Sequence, residues 1–114
     1  MFKGIVNYVD PEDNNCLTIE FIEREHEAAI RVTTTWGEYG AFTIDAIAKK
    51  QGDVYTTPPI YPAFACPSKS SINSDISASI SLKVISRSED TIDVIGVWRE
   101  QGKAYKFAGE LELQ

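Results

Sequence analysis

The chain has 114 residues, 43% hydrophobic and 25% charged, the composition of an ordinary globular domain with enough apolar content for a core. Acids outnumber bases 17 to 11, giving a net charge of −6, and no basic run exceeds Lys49-Lys50. Nucleic-acid binding needs clustered Lys and Arg, and a membrane helix needs about 20 apolar residues, so neither partner is expected. The opening Met1-Phe2-Lys3-Gly4-Ile5-Val6 is too short and too alternating for a signal peptide, so the cytoplasm is the expected location. Cys16 and Cys66 match no metal spacing and read as two free thiols.

In chain order, residues 2–9 alternate weakly as a first strand, and Asp10-Pro11-Glu12-Asp13-Asn14-Asn15 is a turn by composition. Leu17, Ile19 and Phe21 alternate with Thr18 and Glu20 as a second strand. Glu23-Arg24-Glu25-His26 forms a polar hairpin tip. Ala28, Ile30, Val32, Thr34 and Trp36 line one face of a third strand, with Arg31, Thr33 and Thr35 opposite. Phe42, Ile44, Ala46 and Ala48 line a fourth, which meets a short strand at Val54–Thr57 through Gln51-Gly52. Pro58, Pro59, Pro62 and Pro67 rule out a central strand over 58–75, which reads as an extended crossover and a polar loop. Within it, Pro58-Pro59-Ile60-Tyr61 matches the Pro-Pro-x-Tyr pattern of polyproline recognition, although a packed crossover explains it as well.

The last forty residues are the most regular. Ile76, Ala78, Ile80, Leu82 and Val84 alternate with serines and a lysine, then Ile92, Val94, Gly96 and Trp98 follow, then Tyr105, Phe107, Gly109, Leu111 and Leu113. Pairing around Gln101-Gly102 sets Trp98 opposite Tyr105, Gly96 opposite Phe107 and Val94 opposite Gly109, so each glycine faces a larger side chain. The same register opposes Asp93 and Glu110, which calls for a bulge or a neighbouring cation. Residues 43–55 and 91–105 agree at seven of thirteen positions with a two-residue gap, which predicts a duplicated hairpin with Gln51-Gly52 and Gln101-Gly102 at equivalent tips. Lys50 and Asp53 then flank one turn and Glu100 and Lys103 the other.

The expected fold is therefore all-β, a mostly antiparallel meander of about eight strands forming a small barrel or sandwich. It is a single domain over 1–114, with hairpin modules at about 28–57 and 76–114 joined by the Pro-rich segment 58–75.

No nucleophile–base set, phosphate loop or metal-ligand cluster can be assembled, so no enzyme, cofactor or metal is expected. The lone His26 sits among glutamates at a hairpin tip and reads as solvated. Asp45 and Asp93 are the repeat-equivalent acids, but alternation puts both outside. Trp36, Trp98, Tyr105 and Phe107 face inward, as a filled core or as the wall of a small apolar-ligand cavity. Ile47, Ile95 and Val97 lie on the other face beside Asp45 and Asp93. Apolar residues on both faces call for a second cover, so Asp45, Ile47, Asp93, Ile95 and Val97 are the expected partner surface. The expected function is non-catalytic binding of a protein partner, or of a second copy as a homodimer; the alternative is the ligand-holding barrel.

Overall fold

A computed structural model describes residues 1–12, 15–35, 41–60, 63–64, 77–100 and 102–114. Its strands are β1 (Phe2–Tyr8), β2 (Cys16–Glu23), β3 (Glu27–Thr35), β4 (Ala41–Gln51), β5 (Val54–Thr56), β6 (Ala63–Phe64), β7 (Ala78–Arg87), β8 (Thr91–Glu100) and β9 (Lys103–Leu113). Eight of them close into an antiparallel meander barrel in the order β1-β2-β3-β4-β5-β7-β8-β9, with β9 pairing back onto β1. The alternative of a sandwich is thereby settled: closure leaves no long sheet edge to protect. The two-residue β6 pairs with β4 at Phe42 and Thr43.

Alternation decides which side chains enter the barrel. Leu17, Ile19 and Phe21 of β2, Ala28, Ile30 and Val32 of β3, and Ile80 and Leu82 of β7 are all buried, while their neighbours face out. Among the described residues, Trp98, Tyr55, Phe21 and Phe107 are the largest fully buried side chains and belong to one continuous hydrophobic cluster. The β8–β9 register is the expected one, with Trp98 opposite Tyr105, Gly96 opposite Phe107 and Val94 opposite Gly109. Asp93 does oppose Glu110. Relief comes from the other side, where β7 shifts register between Val84 and Ser86 and the Ser86 hydroxyl donates to Asp93 at 2.5 Å.

The proline segment behaves as a crossover where it is described. The Thr57 amide donates to Ile80, and Ile60 makes an isolated bridge to Ala78, so Pro58 and Pro59 fall between two bonding points and need donate nothing. Tyr61, Cys66 and the polar loop to Ile76 lie outside the described residues, as do Trp36 and Gln101.

The duplicated hairpin needs a correction. Residues 41–51 are a strand, and Gly52 and Gly102 both have positive φ, at 64° and 76°. Yet the tips are not equivalent. Gln51 pairs with Val54, so Gly52 and Asp53 make the first turn; in the second hairpin Glu100 pairs with Lys103, which Gly102 directly precedes. Glycine thus takes the first turn position in one hairpin and the second in the other, and the tip moves by one residue. Lys50 consequently pairs with Tyr55, not Asp53, and its ammonium lies 5.6 Å from the Tyr55 ring centre. Asp53 turns to Lys83 of β7 at 3.2 Å.

Candidate binding surface

Barrel closure arranges the outward side chains of β1–β4 in rows that run across the strands. Lys3 pairs with Glu20, Glu20 with Arg31 and Arg31 with Asp45, a row of alternating charge. Arg31 is its centre, with Nε 2.7 Å from Asp45 and Nη1 3.7 Å from Glu20. Two residues away along the strands, Ile22 pairs with Ala29 and Ala29 with Ile47. Met1 adjoins Ile22, one residue before the Phe2–Phe21 pair. This second row is apolar, yet Ile22 is 43% and Ile47 41% exposed. Beyond it lies another ionic row, in which Lys49 reaches Glu27 at 2.9 Å and Arg24 reaches the same carboxylate at 3.4 Å. On the other flank Thr18, Thr33 and Thr43 form a hydroxyl row. The small Ala29 between two isoleucines leaves a groove of about 530 Å³.

The five residues expected to form one partner surface are divided by the barrel. Asp45 and Ile47 line this first groove. Ile95 and Val97 line a second, of about 440 Å³, with Val9, Val54 and the stems of Lys83 and Lys106. Asp93 lies on the same outer face of β8. β5 and β7 separate β4 from β8, and curvature turns the two groups to different sides. The repeat-equivalent acids therefore do not converge: Asp45 is held by Arg31 and Asp93 by Ser86. Charges at mid-height of β1–β4 also stand where a membrane barrel carries its apolar band.

Three of the four residues expected to face inward are described. Trp98 and Phe107 are in the core, Tyr105 packs against it and stacks on Tyr8 with ring centres 4.9 Å apart, and Trp36 is outside the described residues. His26 is exposed at the β2–β3 tip, and among the described residues no three of His, Cys, Asp and Glu are placed to hold a metal.

One polar cluster was not legible in the sequence. At one barrel end the Tyr55 hydroxyl and the Arg87 guanidinium both donate to the same Glu23 oxygen, each at 2.6 Å. β2 and β7, which carry Glu23 and Arg87, stand opposite each other in the ring, so the contact spans the mouth. Phe21 meets the Tyr55 ring edge-on at 5.2 Å. Burial pushes the Glu23 carboxyl up, but the bonds from Arg87 and Tyr55 and the nearby charges of Arg87 and Lys50 more than offset it and hold it below its ordinary 4.5. Burial, then the bond to Glu23 and its charge, pushes the Tyr55 phenol up to about 12.

These shifts fix a pH dependence. The depressed Glu23 contributes stability above its ordinary value and loses it as pH falls below about 4.5. The raised Tyr55 contributes stability fully below pH 10 and loses it as pH rises towards about 12. In urea titrations, wild type is expected to weaken over that alkaline window more steeply than Tyr55→Phe. Equal slopes for the two proteins would show that the phenol is not held in this way.

No family model, curated protein or solved structure matches this chain.

Proposed function

We propose that this chain is a non-catalytic binding domain that engages protein on the outside of its barrel. One observation carries the reading: a cross-strand apolar row, in which Met1, Ile22 and Ile47 are exposed and Ala29 between them is half-buried, on an outer face that ordinarily reads polar. The second groove, at Ile95 and Val97, adds to it. The non-catalytic part rests on the sequence, where no nucleophile and base can be brought together. A ligand held inside the barrel has less support, because Trp98 and Phe107 are buried against other side chains. The exposed free thiol of Cys16 suits the cytoplasm, where thiols stay reduced.

Ile22→Lys and Ile95→Lys, each at an exposed position, test the reading when used beside wild type as baits in an extract. Any retained protein is then purified and titrated against all three. A protein that binds wild type and loses at least about tenfold in affinity to one variant, a difference of about 1.4 kcal/mol, supports it. If instead a fluorescent fatty-acid analogue binds once per chain, indifferent to both substitutions, and no protein depends on either face, the interior-ligand reading replaces it.

A further inference from the structure

We infer that the outer face of β1–β4 is a self-association surface, occupied by a second copy of this chain across a two-fold axis that runs along the strands between β2 and β3. The inference rests on the protein-partner reading above and names the occupant of one of its two patches.

Charge selects the partner. The chain carries −6 overall, so two copies repel in general. This face departs from that balance. Its ionic rows hold Lys3, Arg24, Arg31 and Lys49 against only Glu20, Glu27 and Asp45, so it is slightly cationic while the remaining surface is more acidic than the whole. Copies that approach face to face here therefore escape much of that general repulsion.

The order of the charges then fits a copy of itself. The two-fold reverses each row: β1 faces the partner's β4, and β2 faces the partner's β3. Lys3 then meets Asp45 of the second copy, Glu20 meets Arg31, and Arg24 meets Glu27, each pair opposite in sign. The apolar row falls on the apolar row, with Met1 towards Ile47 and Ile22 towards Ala29.

Size chooses between two possible axes. An axis running across the strands also matches the charges, because the ionic rows flank the apolar row symmetrically. It would set Ile22 on Ile22 and Ala29 on Ala29, clashing at one point and leaving a gap at the other. The axis along the strands puts each Ile22 into the notch above the partner's Ala29, the groove of about 530 Å³, twice over. A barrel surface is convex, so contact is closest at β2 and β3 and loosens towards β1 and β4, and the dimer is of the small, reversible kind.

Sedimentation equilibrium of wild type from about 10 μM to about 1 mM, a range suited to small interfaces, is expected to show the mass rising from 12.7 kDa towards twice that value. Ile22→Lys is expected to remain monomeric throughout, with circular dichroism unchanged. The decisive pair is Glu20→Arg and Arg31→Glu. Alone, each variant sets like charges together twice across the axis and stays monomeric. Mixed in equal amounts, they restore opposite charges at both crossings and associate. Wild type that is monomeric at the highest concentration overturns the inference. So does a dimer indifferent to Ile22→Lys, or a pair of variants that fail to associate when mixed. A protein partner lost with Ile95→Lys can still be found in each of those cases, so failure here is distinct from failure of the binding reading.

Discussion

Replacing Trp98 by alanine is expected to lower the unfolding free energy by about 3–5 kcal/mol. The indole is the largest fully buried side chain among the described residues, 1% exposed, on β8 between Ile80 of β7 and Tyr105 of β9. Truncation removes its transfer free energy and leaves a void that three hydrogen-bonded strands cannot collapse to fill. A domain of this length has about 5–15 kcal/mol in all, so the variant should sit near the edge of folding. Urea titration at constant slope measures the loss. If the alanine variant does not fold, Trp98→Phe keeps the measurement possible with a smaller drop. A loss below about 1 kcal/mol for Trp98→Ala would mean that the indole is not packed as described.

The second large effect is expected at Gly96. A methyl group there would run into the Ser81 backbone carbonyl of β7 and the ring of Phe107, whose Cε2 lies 2.9 Å from the position a Cβ would take. The ring can tilt; the carbonyl can move only if the β7–β8 ladder opens. Gly96→Ala should therefore destabilise by about 1–3 kcal/mol, and Gly96→Val by more. The sign is informative, because glycine inside a strand ordinarily yields about 0.5–1 kcal/mol when replaced by alanine. A stabilised Gly96→Ala would overturn the close approach of β7, β8 and Phe107. Combining it with Phe107→Leu should recover part of the loss and no more, since the Ser81 carbonyl remains.

The facing of β7, β8 and β9 could be read directly because each alternates without interruption and because pairing around Gln101-Gly102 sets Gly96 and Gly109 opposite larger partners. Closure could not be read that way. It depends on Phe2 meeting Leu113 and on Val32 meeting Ile44, and nothing in the local pattern of β1 says that its second neighbour is the last strand. The hairpin tips show a different limit. The two Gln-Gly pairs are identical in sequence, yet Asp53 has Lys83 to pair with on β7, and the turn closes on Gly52-Asp53.

The outer surface was half legible. Period two correctly puts Ile47, Ile95 and Val97 outside, but it says nothing about which outward residues become neighbours. Sequence similarity suggests that Ile47 and Ile95 share a surface; β5 and β7 stand between them. The missed residue is Ile22. Its signal was present as the pair Phe21-Ile22, two large apolar residues in a row where a half-wet strand allows one. The Glu23–Tyr55–Arg87 cluster had no comparable signal, because its members come from three strands and meet only across the barrel mouth.

Self-association through the outer face of β1–β4, with the barrel filled by side chains, is tested most directly by an amide chemical-shift map recorded while the chain concentration rises from about 10 μM to about 1 mM, the span in which a small interface fills. Progressive shifts are expected at Glu20, Ile22, Ala29, Arg31 and Ile47, with the Trp98 indole and the Phe107 amide unmoved. A map that does not change with concentration, or one whose shifts centre on Trp98, Phe107 and the other inward-facing residues, would contradict it.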